Sequence, residues 1–292
     1  MTDKLETLVA DELTQPVDPQ VTALAAAIAK AHGKASRAVL FYGSCLREKQ
    51  LDGLMLDFYL VVSDYRGAYD RRWLSVANRL IPPNVFPFEA GGFTAKYAVL
   101  SEADFHRLNG PETRNVSVWA RFAQPSRLVW AANETARKKA IAAVARAAPT
   151  LLASAILAVP DSDDPLDLWR GAFALTYSAE LRAERKARSG SVVDSDPERY
   201  RRFTEPAIKA ISAGNAHRAS GGWARRRMEG KMLSVVRLAK ASATFAGGVD
   251  YIAWKINRHA GTAIVIKPWQ RRWPLLAAIT LVPKLLRSGA VR

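Results

Sequence analysis

The feature that most constrains the fold is a pair of apolar runs on either side of a Gly-Ser pair, at residues 37–62. The stretch reads RAVLFYGSCLREKQLDGLMLDFYLVV. Residues 37–42 and 54–62 are rich in Val, Leu, Phe and Tyr, a composition typical of β-strands. Gly43 and Ser44 end the first run, because glycine allows a backbone turn that a Cβ would block. The stretch therefore predicts a strand, a tight turn, a short connection and a second strand.

Asp57 lies in the middle of the second predicted strand, inside the run LMLDFYLVV. A Gly-Ser pair between two strands is usually no more than a turn. The carboxylate favours a functional interpretation, because a charge in such apolar surroundings is costly unless it is paired or bound to a cation. Mg²⁺ is a suitable cation, since it prefers hard oxygen ligands and phosphates.

The charge of the chain is strongly asymmetric. It has 43 Lys and Arg against 27 Asp and Glu, a net charge of +16. From residue 206 to the last residue there are 16 basic residues and two acids, Glu229 and Asp250, so about +14 of that charge lies in the last third. A nearly neutral body with a basic end indicates an anionic partner, either nucleic acid or acidic lipid.

Composition excludes several classes of protein. A hydrophobic content of 49% supplies a core and excludes a disordered chain. Cys45 is the only cysteine, so there is no intramolecular disulfide framework, and a reducing compartment is expected. Cys45 itself is interpreted as a small turn residue. Four scattered histidines argue against a structural zinc site, and the acidic start MTDKLETLVADEL is not a secretory signal.

The rest of the first 132 residues predicts an α/β domain. Helices are expected at 21–32, at 69–80 and from Ser101 onward, and strands at 85–88, 93–100 and 127–130. Residues 63–67 are expected to form a loop. Lys96, in a strand, is expected either on a solvated face or at a phosphate. Arg121 by itself is expected at the surface, with an anion clamp as the alternative.

The remainder of the chain predicts two further regions. Residues 133–220 read as a helical domain, which could include a small winged element, with a helix at 133–157, a long one at 166–188 and another at 200–212. Residues 221–292 read as a basic C-terminal region that begins with an amphipathic helix at 221–245. Near the end, a basic cluster with Trp269, Arg271, Arg272 and Trp273 precedes a short apolar run. That run is shorter than the roughly 20 residues of a spanning helix, so it predicts a membrane-interface segment; an ordinary core helix is the alternative.

Several scattered segments, in order and at similar spacing, resemble one family: the mitochondrial translocator assembly and maintenance proteins, which are CDP-diacylglycerol synthases of nucleotidyltransferase fold. The segments are YGS at 42–44, LDFYLVV at 56–62, WLSVAN at 73–78, AKYAVL at 95–100, VWARFAQPSRLVW at 118–130 and TYSAELRAE at 176–184. The chain departs from the family at Cys45, where glycine is usual, and at Glu180, where aspartate is usual. The family's second strand acid is also missing, because Met55 and Tyr59 occupy its places; Asp52 is the nearest substitute.

The resemblance implies a nucleotidyltransferase-fold, mixed-sheet domain and a reaction. CTP and phosphatidic acid would give CDP-diacylglycerol and pyrophosphate, with Mg²⁺ as cofactor and an anionic membrane surface as partner. The expected site residues fall into four groups, of which the resemblance bears on the first three and the composition of the tail on the fourth. They are Asp57, Ser44 and Lys96 for catalysis; Tyr42, Gly43, Ser44, Arg121, Tyr177 and Arg182 for the nucleotide; Asp57 and Asp52 for the metal; and Trp269, Arg271, Arg272 and Trp273 for the membrane.

Two alternatives to this function stay open. One is a nucleotidyltransferase-fold protein that acts on RNA or another acceptor, with the basic tail following phosphates. The other is an inactive relative that binds membranes, which the missing second acid favours. The clustering of tryptophans with an apolar run favours lipid, so no stable nucleic-acid partner is expected. The expected location is cytoplasmic, on the inner face of the cytoplasmic membrane.

Overall fold

The computed structural model describes residues 4–48, 55–180, 192–211, 222–244 and 265–269. The described part of the chain contains five strands and twelve α-helices of at least four residues. The strands are β1 (Ser36–Tyr42), β2 (Leu56–Val62), β3 (Asn84–Ala90), β4 (Phe93–Ser101) and β5 (Ser126–Ala131). The helices are α1 (Lys4–Leu13), α2 (Pro19–Ala31), α3 (Ser44–Glu48), α4 (Tyr65–Ala68), α5 (Arg72–Leu80), α6 (Glu102–Asn109), α7 (Trp119–Phe122), α8 (Glu134–Ala145), α9 (Ala147–Ala155), α10 (Pro165–Ala179), α11 (Pro197–Lys209) and α12 (Trp223–Thr244).

The five strands form one mixed sheet in the order β3-β4-β2-β1-β5. β1 is antiparallel to both β2 and β5, and β3 is antiparallel to β4. β2 and β4 are parallel, so the chain crosses over between them through α4, α5 and β3. The predicted α/β class with a mixed sheet is confirmed, and each predicted strand up to residue 130 is present.

The sheet separates two hydrophobic clusters, because successive side chains of a strand point to opposite faces. One face, with Leu40, Tyr59 and Leu100, packs against the helices that follow the sheet and against α1. The other face, with Phe41 and Phe58, packs mainly against α2. Asp57 alternates with Leu56 and Phe58, so it belongs to the first face, which is the one that the later helices cover.

The first cluster continues without a break across the predicted boundary at residue 132. It joins sheet residues to α8, α9, α10 and α11, and it includes Trp223 at the start of α12. The division into domains at 1–132, 133–220 and 221–292 remains a prediction.

Two helical predictions differ in detail from the structure. The expected helix at 133–157 is two helices, α8 and α9. Pro149 explains the break, because a proline has no N–H and its ring excludes the carbonyl oxygen four residues earlier from a continuous helix. The expected helix at 166–188 is α10, which ends at Ala179, and the backbone of Glu180 is extended. The expected loop at 63–67 contains the start of α4, capped by the Asp64 side chain.

The described residues include no helix that is both long enough and apolar enough to cross a bilayer. The longest described helix, α12, has 22 residues and carries several Arg and Lys along its length. Of the predicted membrane-interface segment, Trp269 is described and is 43% exposed. Arg271, Arg272 and Trp273 lie outside the described residues.

Candidate active site

The strand register brings Asp57 and Lys96 together at one end of the sheet. Asp57 lies opposite Tyr42 on β1 and opposite Lys96 on β4. Side chains at paired positions of neighbouring strands project to the same face. The Nζ atom of Lys96 lies 3.0 Å from Oδ1 of Asp57, and both side chains are about three-quarters buried. The lysine therefore faces the carboxylate rather than open solvent.

The Gly-Ser bend lies directly against Asp57. Gly43 has a φ of +100°, and a Cβ at that position would lie 3.2 Å from Oδ2 of Asp57. Glycine is thus required both by the backbone conformation and by the close approach. Ser44, the next residue, begins the short helix α3. Gly43, Ser44, Asp57 and Lys96 consequently form one corner of the sheet, which we call the glycine–aspartate corner.

This corner offers one possible ligand for a divalent cation, the carboxylate of Asp57. Oδ1 of Asp57 is buried and makes no hydrogen bond within the described part of the chain. Its contact with Lys96 is an ion pair. No group of three or more His, Cys, Asp or Glu among the described residues could hold a metal. Asp52, the predicted second metal ligand, lies outside the described residues.

Arg121 lies on the same face of the sheet as the glycine–aspartate corner. Its guanidinium donates to the carbonyl oxygen of Ser117 and lies 3.4 Å from Oε1 of Glu180. Burial opposes the charge on Arg121, but the carboxylate of Glu180 and the two tyrosine hydroxyls of Tyr42 and Tyr59 outweigh it and raise the pKa of the guanidinium. Arg121 is neither fully exposed nor buried: its side chain is 29% exposed and its guanidinium faces Glu180 at the end of α10.

Tyr42 and Tyr59 connect the corner to Arg121. Their ring centroids are 5.2 Å apart, and both rings pack against Phe122. Burial raises the pKa of the Tyr42 hydroxyl, and the nearby carboxylate of Asp57 raises it further. Burial likewise raises the pKa of the Tyr59 hydroxyl. The two hydroxyls therefore stay protonated at neutral pH and can donate hydrogen bonds.

The basic helix α12 supplies a second, partly buried guanidinium, from Arg237. This side chain donates to Oγ of Ser117 at 2.7 Å and to the carbonyl oxygen of Pro82 at 2.9 Å. Burial lowers the pKa of Arg237; Tyr59 and Glu180 raise it, and the neighbouring charge of Arg121 lowers it. Arg121, Arg237 and Glu180 are therefore close enough for their charges to interact. We call these three residues the arginine cluster.

Close packing fixes α12 beside this cluster. A Cβ on Gly230 would lie 2.2 Å from the carbonyl oxygen of Ala179, the residue before Glu180. Trp223 at the helix start donates to the carbonyl oxygen of Ser154 at 2.9 Å. The sequence predicted α12 as a helix but did not identify Arg237 as a site residue. A signal was available, because Trp223, Arg226, Gly230 and Arg237 recur at steps of three, four and seven on one side of the helix.

Two further residues were predicted to bind the nucleotide, Tyr177 and Arg182. Tyr177 lies near the end of α10, is half-buried and packs against the core. Arg182 lies outside the described residues. Glu180, which the sequence places beside them, is nine-tenths buried and faces Arg121.

Comparison with known proteins gives likenesses among solved structures only. No known protein family and no curated protein matches the chain. Among solved structures, it is similar to a nucleotidyltransferase-like protein from Exiguobacterium sibiricum 255-15. The identity is 9%, the alignment covers 92% of each chain, and the TM-score is 0.28. A likeness at this level adds nothing to the chemistry of the site, which rests on the geometry described above.

Proposed function

We propose that the protein is a nucleotidyltransferase that transfers the cytidylyl group of CTP to phosphatidic acid, forming CDP-diacylglycerol and pyrophosphate. The observation that carries the proposal is the glycine–aspartate corner, where Gly43 lies against Asp57 and Lys96 lies 3.0 Å from it. The arginine cluster on the same face supports it, because Arg121 and Arg237 place two guanidinium groups near one carboxylate, and guanidinium groups bind phosphate. The choice of CTP and of a lipid acceptor rests on the family resemblance and the basic C-terminal third.

The proposed reaction places its demands on orientation and charge rather than on a strong base. An oxygen of the lipid phosphate forms a bond to the α-phosphorus of CTP, the bond to the β-phosphate oxygen breaks, and that electron pair leaves with pyrophosphate. A phosphate monoester already carries more than one negative charge near neutral pH. The chain therefore has to align the two anions and offset their repulsion, which preorganised cations do best in a buried site.

Each site residue has a part in this scheme. Gly43 lets the bend approach the carboxylate of Asp57 closely, and the backbone N–H and hydroxyl of Ser44 would be donors for a phosphate. Asp57 would hold Mg²⁺ through the oxygen that makes no hydrogen bond, and the ion would neutralise charge on the triphosphate. Because Lys96 contacts that same oxygen, the ammonium becomes available to a phosphate when a cation takes its place. Arg121 and Arg237 would bind phosphate groups of the nucleotide and of the lipid.

A second candidate is a membrane-binding relative without transferase activity. One observation favours it: within the described ranges Asp57 is not joined by a second metal-ligating carboxylate, and its charge is already offset by Lys96. In that case the corner is a structural ion pair, and substitution at Asp57 changes stability without changing any reaction.

The test is release of pyrophosphate by the purified chain with Mg²⁺, CTP and phosphatidic acid in detergent micelles. We expect Asp57→Asn to lower the rate by about a hundred- to a thousandfold, as removal of one preorganised electrostatic group typically does. Asp167→Asn is the matched control, because Asp167 is an exposed aspartate paired with Arg170, and it should leave the rate unchanged.

Three outcomes would overturn the proposal. Equal rates for the wild type and Asp57→Asn would remove the role of this carboxylate. Faster release with an RNA acceptor than with phosphatidic acid would assign a different substrate. No release with any of the four nucleoside triphosphates, from a folded protein, would favour the inactive relative.

A further inference from the structure

Helix α5 has its polar side inward and its apolar side outward. Trp73, Val76 and Leu80 recur at steps of three and four and are 44%, 56% and 73% exposed. The inward side carries Ser75 and Asn78, which are buried. A surface helix normally shows the opposite arrangement, with its apolar stripe facing the core. An outward apolar stripe of this kind marks a binding surface.

Hydrogen bonds explain why the polar side of α5 is buried. The side-chain amide of Asn78 donates to the hydroxyl of Tyr69 and to the carbonyl oxygen of Val99, each at 3.0 Å. Its oxygen accepts from the backbone N–H of Asn84 at 2.5 Å. Rotating the helix to bury the apolar stripe would break all of these contacts. The outward position of Trp73, Val76 and Leu80 is therefore a fixed property of the fold.

Helix α12 also exposes an apolar stripe, although its first residue, Trp223, is buried in the core. Met228, Met232 and Val236 recur every four residues and are 68%, 66% and 37% exposed. Its inward side carries Arg226, which donates to the carbonyl oxygen of Arg114, and Arg237 of the arginine cluster.

The segment that follows α5 packs against the second half of α12. Lys240 donates to the carbonyl oxygens of Ile81 and Pro83, and Arg237 donates to that of Pro82. The exposed charged residues near the stripes are mainly basic, although Asp70 is also exposed and Arg225 pairs with Glu229. The basic residues are Arg71, Arg72 and Arg79 beside α5, and Arg225, Arg227 and Lys231 on α12.

We propose that the outward sides of α5 and α12 form a docking surface for an anionic lipid bilayer. The proposal deepens the proposed function and rests on it in one respect, that the acceptor is a membrane lipid. Helix α12 then separates the bilayer from the arginine cluster by about one helix diameter, roughly 10 Å. A lipid phosphate at the surface would have a short path around this helix to Arg121 and Arg237.

The chemistry of the surface favours a bilayer over other partners. Apolar stripes flanked by Arg and Lys are the pattern of helices that lie in a membrane interface, where Trp is also enriched. Each basic residue near an anionic leaflet adds to the attraction. Single-stranded RNA would use stacked aromatic rings along a basic groove, whereas the exposed apolar residues here are mainly aliphatic and Met side chains.

The experiment is flotation of the full-length protein with phosphatidylcholine vesicles, with and without phosphatidylglycerol, in the absence of nucleotide. We expect binding to the anionic vesicles, weakened by added salt. The double variants Val76→Ser with Leu80→Ser, and Met228→Ser with Met232→Ser, should each bind at least tenfold more weakly, because two apolar side chains no longer enter the bilayer. Leu157→Ser is the matched control, because Leu157 is 79% exposed and lies outside both stripes; it should bind like the wild type.

The outcome of flotation is independent of catalysis, so the two proposals fail separately. Asp57→Asn should float like the wild type whether or not the protein is a transferase. Unchanged flotation of both double variants, with native circular dichroism, would overturn the docking surface. So would equal binding to neutral and anionic vesicles, displacement from vesicles by poly(U), or a wild type that does not float but forms a dimer that the same substitutions dissociate.

Discussion

Two arginines lie beside glutamates under the later helices, and they differ in burial and in how completely the charge is satisfied. Arg199 on α11 is buried and donates to both carboxylate oxygens of Glu12 and to the carbonyl oxygen of Ala123, and its guanidinium lies 4.4 Å from the ring centre of Phe203. Arg121 is 29% exposed and has a longer contact of 3.4 Å with Glu180.

This difference separates a structural ion pair from a candidate binding group. The Arg199–Glu12 pair is bidentate and neutral, and it joins α11 to α1 in the core, so a ligand would gain nothing there. The arginine cluster places two partly buried guanidinium groups on the same face as the glycine–aspartate corner, and Arg121 contacts Glu180 at 3.4 Å while Arg237 donates to Ser117 and Pro82. A partly desolvated cation without a bidentate carboxylate partner is costly for stability and is therefore expected where an anion will bind.

The largest expected effect is on the structural pair. Glu12→Leu leaves the guanidinium of Arg199 buried without its carboxylate, which typically costs about 3–5 kcal/mol of unfolding free energy. Urea unfolding measures this cost. Glu205→Leu is the control, because Glu205 pairs with Lys209 at the surface, and it should leave the midpoint near that of the wild type. If the Glu12→Leu variant were as stable as the wild type, the Arg199–Glu12 pair would not be the structural ion pair that the comparison requires.

A smaller effect, on binding rather than stability, is expected at the arginine cluster. Arg121→Met should weaken CTP binding about ten- to a hundredfold, as loss of a charge-assisted hydrogen bond does, and isothermal titration calorimetry measures it. The free energy of unfolding should fall less than for Glu12→Leu, because the charge of Arg237 remains near Glu180. Arg121→Lys keeps the charge and should lose less affinity. If Arg121→Met lost stability but no affinity, the cluster would be structural, like the pair at Glu12.

The third effect, on the pH dependence of stability, concerns the last turns of α12 next to the cluster. Burial, together with the charge of Arg237, lowers the pKa of Lys240 from 10.5 to about 7. Between these values the unfolded chain binds a proton that the folded chain does not, so the contribution of Lys240 to stability rises as pH increases from about 7 to about 10.5.

Lys240→Met should remove this contribution and flatten the rise of stability with pH in that window, measured by urea unfolding at several pH values. Lys231→Met, at an exposed position of the same helix, should keep the slope of the wild type. An equal slope in all three proteins would show that Lys240 is not desolvated.

Much of the fold could be predicted from local patterns. Apolar runs gave the strands, and glycine, proline and capping residues marked most element ends, because these signals act within a few residues. Helix α5 illustrates the limit. Its apolar spacing predicted the helix correctly, but the inward side is set by the hydrogen bonds of Asn78 with β3, β4 and Tyr69, which periodicity does not contain.

The candidate site could be predicted only in part. Asp57 and the Gly43 bend are close in sequence, and a carboxylate in an apolar run is conspicuous. The partner of Asp57 on β4 depends on the parallel register that the crossover between β2 and β4 creates. Arg237 comes from a helix far along the chain, and in sequence it is one basic residue among several.

Gly230 lies where α12 packs directly against the backbone of Ala179, the last residue of α10. Glu180 follows Ala179 on one side of this contact, and Met228 and Met232 lie on the exposed side of α12. A displacement of α12 at Gly230 would therefore also displace the backbone beside Glu180.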